Sequence, residues 1–311
     1  MGRVAFLFPG QGAQFSGMGK SLYEGSAAAR EVFDLYEQIR PGLKELCFSG
    51  SAEELAQTVN TQPALFACEM AAAKAAEEAG LTCEAAAGFS LGEVTAYTFA
   101  GGVSLEEGFQ LVIKRAELMH ADAQKAASGM AAVLKLSAEQ VENVCAGFSH
   151  AYPVNYNAPG QVSVAVAADE MDAFKAAVKD AGGKALPLKV SGGFHSPFMA
   201  QAAEKFADVL SSFPLDSPKI PLYSNYTAGP YDMGAPDTAD AGASSALTLL
   251  SRQISAPVRW EALVRNMAAA GVDTFVEVGP GTVLTGLVKK ILPDAVTVNV
   301  AEFSDVEGRR G

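Results

Sequence analysis

The chain has 311 residues, 49% apolar and 19% charged, which is the composition of a folded globular protein with a sizeable core. That length suits one large domain carrying a smaller insertion. With 23 basic against 35 acidic side chains the formal charge is −12, which argues against a general affinity for nucleic acid or acidic lipid.

In chain order, Val4 to Phe8 reads as a buried strand stopped by Pro9-Gly10. The run is too short for a signal-peptide core, and no stretch approaches the roughly 20 apolar residues that span a bilayer, so a soluble cytoplasmic protein without a membrane partner is expected. Glycines recur before a single helix expected over Ser21 to Arg40. An alanine-rich helix follows over Thr61 to Gly80, with Pro63 near its first turn. Glu84 to Gly88 leads into Ser90, and Leu91 to Ala100 reads as helix. Ser104 is expected to cap the next helix, Leu105 to Gln124, with Glu106 and Glu107 in its first turn.

Residues 128–190 have a different rhythm. Strand, short helix, two strands joined at Ala158-Pro159-Gly160, a second helix and a last strand give βαββαβ, the ferredoxin-like order. The expected fold is therefore α/β: a large α/β hydrolase-like domain with a parallel-sheet core (1–127 and 191–311) and an inserted ferredoxin-like domain (128–190), with a ligand cleft between them. Beyond the insertion come a helix over Ala200 to Ser212, a strand over Ile220 to Ser224 and a loop over Gly229 to Ser245. A helix over Trp260 to Ala270, the strand Thr274 to Val278, a helix ending near Leu292, the strand Val296 to Val300 and a frayed tail complete the chain. Cys47, Cys68, Cys83 and Cys145 show no CxxC spacing and no companion His cluster; they read as reduced thiols, with no metal site.

Gly88-Phe89-Ser90-Leu91-Gly92 fits G-x-S-x-G, which alone is an even choice between a structural turn and a nucleophile. Its setting after a strand and before a helix favours an exposed serine, with the Leu91 N–H placed to donate to an oxyanion. Such a serine needs a base, and only three histidines are present. His120 ends an amphipathic helix and His150 precedes a strand, ordinary surface settings for both. His195 stands in Gly192-Gly193-Phe194-His195-Ser196-Pro197, an irregular loop re-entering the large domain, and is the expected base. Arg115 sits on an otherwise apolar helix with Met119 one turn on, either as a snorkelling cation or as a fork for a carboxylate. Phe8-Pro9-Gly10-Gln11-Gly12-Ala13-Gln14 lacks P-loop and dinucleotide spacing; a phosphate cradle and a backbone oxyanion donor both remain open.

Taken together, FPGQGAQ, GFSLGE around Ser90, the arginine helix ending in Met119, NYNAPGQV, GGFHSPFM around His195, RQISAPVRW and FVEVGPGTVLTGLVKK resemble the malonyl-CoA:acyl carrier protein transacylase family, in order over nearly the whole chain. The resemblance implies transfer of malonyl from malonyl-CoA to the phosphopantetheine thiol of an acidic, transiently docking acyl carrier protein in fatty acid synthesis. It implies a ping-pong route through a malonyl ester of Ser90, with His195 as base and no cofactor. Gln253 would orient His195, Gln11 and Leu91 would form the oxyanion hole, and Arg115, Met119 and Phe198 would line the acyl site in a monomer. The chain departs from the family pattern at Phe89, where histidine is usual, and at Ala116, where glycine is usual.

Rivals are a polyketide-serving acyltransferase, a serine hydrolase, and a carrier-binding module without activity. Against the hydrolase, His195 has over a hundred residues behind it. Intact Ser90, His195 and Arg115 argue against the inactive module. Lys114, Lys189 and Arg252 are the basic residues considered for carrier docking.

Overall fold

The computed structural model describes residues 2–231 and 245–308. Its first half runs β1 (Arg3–Phe8), α1 (Lys20–Gly25), α2 (Ala27–Ile39), α3 (Leu43–Ser49), α4 (Ala52–Ala56), α5 (Thr58–Glu78), β2 (Ala85–Gly88), α6 (Leu91–Phe99) and α7 (Leu105–Lys125). Next come β3 (Ser128–Leu134), α8 (Ala138–Cys145), β4 (Ala151–Ala158), β5 (Gln161–Ala167), α9 (Met171–Asp180) and β6 (Lys184–Pro187). The chain continues through α10 (Ala200–Leu210), β7 (Leu222–Tyr223), α11 (Ala246–Arg252), α12 (Trp260–Ala269), β8 (Val272–Val278), α13 (Val283–Ile291) and β9 (Val296–Val300).

Five strands form a sheet in the order β7-β2-β1-β8-β9, all parallel. Parallel strands are covered on both faces, which is why Val4 to Phe8 carries no polar residue. Alternation sends Phe6 and Phe8 into one buried cluster with α2, α5 and α7, and Ala5 and Leu7 into a second with α12 and α13. The alanines of β2 leave room for helices on either side. The other four strands form an antiparallel sheet, β4-β5-β3-β6, around a separate cluster of Val133, Val162, Val164, Phe174 and Val178. The segment before α12 pairs with β4, the Tyr156 N–H donating to the Val258 carbonyl and the Val258 N–H to that of Val154.

Helix α5 is buried on nearly every face, as its alanine-rich composition allows. Pro63 has no N–H for the Val59 carbonyl one turn earlier, and the Arg40 guanidinium donates to that oxygen instead, at 3.0 Å. The single helix expected over 21–40 is two: Ser26 caps α2 by accepting from the Ala29 N–H, and this local bond competes with a continuous helix at Gly25-Ser26. Ser104 forms a full capping box with Glu107, as its position before α7 suggested. The tail is ordered further than expected: a 3₁₀ turn spans Phe303–Asp305, with the Asp305 carboxylate accepting from the Ala301 and Glu302 N–H groups, and Val306 is buried. Most of the loop expected at 229–245, and residues 309–311, lie outside the described residues.

Candidate active site

β2 ends at Gly88 and α6 begins at Leu91, so Phe89 and Ser90 form the corner between them, and Ser90 has φ 55° and ψ −104°. A non-glycine residue holds such angles only where its surroundings enforce them. Here the enforcement is close backbone packing. A Cβ on Gly88 would lie 1.8 Å from the Gly92 carbonyl oxygen, and one on Gly92 would lie 2.1 Å from that of Phe8. The two glycines of G-x-S-x-G are thus sites of contact as well as turn residues. Asn225 clamps the corner: its Oδ1 accepts from the Ser90 N–H at 2.6 Å and its Nδ2 donates to the Gly88 carbonyl at 2.6 Å.

The structure brings four of the expected residues onto one another. His195 Nε2 lies 2.7 Å from Ser90 Oγ, and His195 Nδ1 lies 2.8 Å from the main-chain oxygen of Gln253. That carbonyl can only accept, so Nδ1 carries the proton and Nε2 is left with its lone pair toward the serine. His195 itself has φ 60° and is buried. Burial, and secondarily the Arg115 charge, push its imidazole down to about 4, against the hydrogen bond it donates to the Gln253 carbonyl, so it is neutral at pH 7.

Arg115 is fully buried on α7. Its Nη1 donates to Gln62 Oε1 at 2.7 Å, and its Nη2 to Gln253 Oε1 at 2.7 Å and to Ser90 Oγ at 3.1 Å. Its Nε has no partner among the described residues. Burial lowers the guanidinium to about 10, which leaves it charged at neutral pH. Gln62 turns its amide nitrogen to Met119 Sδ at 3.4 Å, so Met119 walls the same space.

A cleft of about 90 Å³ opens over Ser90, lined by Gln11, Gln62, Phe89, Leu91 and Met119 from the large sheet's side and by Met130, Asn155, Leu188 and Val190 from the small sheet's side. It lies beyond the carboxyl ends of β1 and β2, where open parallel sheets bind ligands. Gln11 and Leu91 line it, and the backbone N–H of neither donates to an acceptor among the described residues. Phe198 is elsewhere: the 3₁₀ turn Pro197–Met199 carries its ring onto Tyr152 and His150, away from the cleft lining. Phe89 half-fills the elbow's flank, its ring 5.3 Å from that of Trp260. Lys114, Lys189 and Arg252 are all exposed, on α7, after β6 and at the end of α11 respectively.

Four residues beside this constellation were not singled out from the sequence: Gln62, Glu93, Asn225 and Tyr231. Glu93 sat unused within GFSLGE. It is fully buried and accepts from Tyr231 OH at 2.7 Å, Gln253 Nε2 at 2.9 Å and the Asn225 N–H at 3.1 Å. Burial pushes its carboxyl up to about 7 against those hydrogen bonds. Among the described residues no helix is long and apolar enough to cross a membrane, and no cluster of three His, Cys, Asp or Glu could hold a metal ion.

An elbow serine closed by a neutral histidine at the edge of a parallel α/β sheet is the arrangement of enzymes that act on acyl groups. Residues 5–304 match the acyl transferase domain family. The chain is 38% identical to the malonyl CoA-acyl carrier protein transacylase of Bacillus subtilis (strain 168) over 313 residues, covering 99% of this chain and 96% of that one. The crystal structure of the malonyl CoA-acyl carrier protein transacylase from Clostridium perfringens superposes with a TM-score of 0.91 at 33% identity, over 98% of this chain and 95% of that one. A malonyl-transacylase solved in complex with its type II PKS acyl-carrier protein gives 0.89 at 32% identity, over 98% and 97%. The chain belongs to the acyl transferase family, among the malonyl CoA-acyl carrier protein transacylases, and is an acyltransferase.

Proposed function

We propose that this acyltransferase carries malonyl from malonyl-CoA to the phosphopantetheine thiol of an acyl carrier protein, through a malonyl ester of Ser90, and thereby supplies fatty acid synthesis. The observation that supports this most is the convergence of His195 and Arg115 on the Ser90 hydroxyl. One supplies a base, the other a buried positive charge within reach of an acyl group attached there.

In the first half, Ser90 Oγ attacks the thioester carbonyl as its proton passes to His195 Nε2. The developing oxyanion takes the Leu91 and Gln11 N–H groups. Collapse expels the coenzyme A thiolate, which takes the proton from His195, and leaves the ester. In the second half, His195 deprotonates the carrier thiol, which attacks the same carbonyl; Ser90 Oγ leaves and regains the proton. The Gln253 carbonyl holds the imidazole in the working tautomer throughout and offsets the imidazolium charge. Arg115 pairs with the malonyl carboxylate beside Met119. Both steps exchange one acyl linkage for another, so no resident cofactor or metal is needed.

The reading places residues 128–190 as an inserted small domain within a large domain of 1–127 and 191–311, with the cleft between the two. All the groups named come from one chain, which suits a monomer. The unbridged cysteines suit the cytoplasm. The same chemistry on a polyketide-type carrier is the second reading, favoured by the likeness to the transacylase solved with such a partner. Incubation with malonyl-CoA and each carrier, in holo and apo form, tests both by mass of the carrier. Malonyl is expected on the holo form of the cognate carrier only; release of free malonate with no loaded carrier would overturn the reading.

A further inference from the structure

The acyl-transfer steps above make no use of Glu93, although it is the charged group nearest in sequence to Ser90 and lies fully buried behind it. The Gln253 side-chain amide stands between Glu93 and Arg115. Its Nε2 donates to Glu93 Oε2 at 2.9 Å and to the Ser90 carbonyl at 2.6 Å, while its Oε1 accepts from Arg115 Nη2 at 2.7 Å. Turned end for end, this amide would point its hydrogens at the guanidinium and its oxygen at two acceptors. Every neighbour therefore enforces one orientation, and Glu93, ionised above about pH 7, contributes the only acceptor that can carry charge. Among the described residues no carboxylate makes a salt bridge to Arg115, so its charge is balanced only at one remove.

That spacing matters for recognition. A carboxylate in direct contact with a buried guanidinium is expensive to separate from it, and an incoming acid would have to displace it. Across an amide, the attraction still orients the cation while leaving its face open. We propose that Glu93 is a positioning residue for the acyl carboxylate: acting through Gln253, it holds Arg115 in place and charged, and the intervening amide keeps the two from pairing directly. The inference rests on the reading of Arg115 as the partner of the malonyl carboxylate.

Glu93→Gln tests it. The replacement keeps the shape, and the Tyr231 hydroxyl can turn to accept from the new amide, but the charge is gone. Transfer of malonyl and of acetyl from their coenzyme A thioesters would be measured at about pH 8, where the Glu93 carboxyl is ionised, for wild type, Glu93→Gln and Arg115→Ala. The expected result for Glu93→Gln is a rise in KM for malonyl-CoA of roughly tenfold, the difference between a charged and a neutral acceptor, with acetyl transfer within about twofold of wild type. Equal loss of both activities would make Glu93 a merely structural residue and overturn the proposal. So would an unchanged malonyl KM while Arg115→Ala abolishes malonyl preference. If Arg115→Ala itself leaves that preference intact, the failure lies in the reading of Arg115. Should Glu93→Gln not fold, Tyr231→Phe decides: losing this donor weakens the carboxylate, so a two- to threefold rise in malonyl KM is expected, and no rise overturns the proposal.

Discussion

Arg115 and Ser90 are hydrogen-bonded within the cleft, the guanidinium Nη2 lying 3.1 Å from the Oγ that His195 Nε2 approaches to 2.7 Å from another side. The base and the buried cation thus share one oxygen. Burial first, and then this charge, lower the His195 pKa. One buried cation therefore touches the Ser90 hydroxyl and also acts on the imidazole beside it.

Arg115→Ala removes a fork with two hydrogen bonds to offer. We expect kcat/KM for malonyl-CoA to fall by roughly a hundredfold or more, since bonds to charged groups are each worth about 1.5 to 3 kcal/mol. Acetyl transfer should fall far less, so the malonyl-to-acetyl ratio collapses. Steady-state assays with the two thioesters check this, and an unchanged ratio contradicts the role.

The pH profile reads His195. Its folded value of about 4 lies below the ordinary histidine value, so the neutral base is fully present above about pH 5 and is lost as pH falls through 4. Acetyl-CoA isolates this group, because it makes no demand on Arg115. We expect kcat/KM for acetyl transfer to be flat down to about pH 5. An acid limb near 6.5 would show that neither burial nor Arg115 acts on the imidazole as described.

Phe89 serves packing. Its ring lies against Trp260, whose indole Nε1 has no partner among the described residues. Phe89→Ala should cost about 2 kcal/mol by opening a void in a half-buried contact, measured by denaturant unfolding. Phe89→His should keep activity within severalfold, because the base is supplied by His195. A large loss of activity in Phe89→His with the fold intact would give this position a chemical role.

Gly88→Ala sets a methyl 1.8 Å from the Gly92 carbonyl oxygen, backbone against side chain with nothing flexible to yield. The corner must open, moving Ser90 away from His195. Loss of soluble protein or a drop in Tm of many degrees is expected, with at least a hundredfold loss of transfer in whatever folds. Normal activity would mean the elbow does not depend on this contact.

The strands, the ferredoxin-like order and the pairing of Ser90 with His195 were legible because each leaves a local mark: an apolar run, a period, glycines around a serine. Scarcity helped, since three histidines allowed elimination. Glu93, Gln62, Asn225 and Tyr231 were hidden because a polar residue looks solvent-facing until tertiary packing buries it and supplies partners 53 to 160 residues away. The Gly25-Ser26 break did carry a signal, a serine placed to cap, but the helical pattern on both sides masked it. Helices α3, α4 and α11 were missed because they are short and lean on α5 and α10 for stability. Phe198 stands outside the cleft lining because neighbours in a motif need not face the same way; a 3₁₀ turn sets its ring on Tyr152 of the small sheet.

The central claim is that Ser90 carries the acyl group. Intact-mass measurement after brief incubation with malonyl-CoA, on wild type and on Ser90→Ala, tests it most directly. A single malonyl adduct is expected on wild type, discharged by holo carrier protein, and none on Ser90→Ala. An adduct that survives Ser90→Ala would contradict the account.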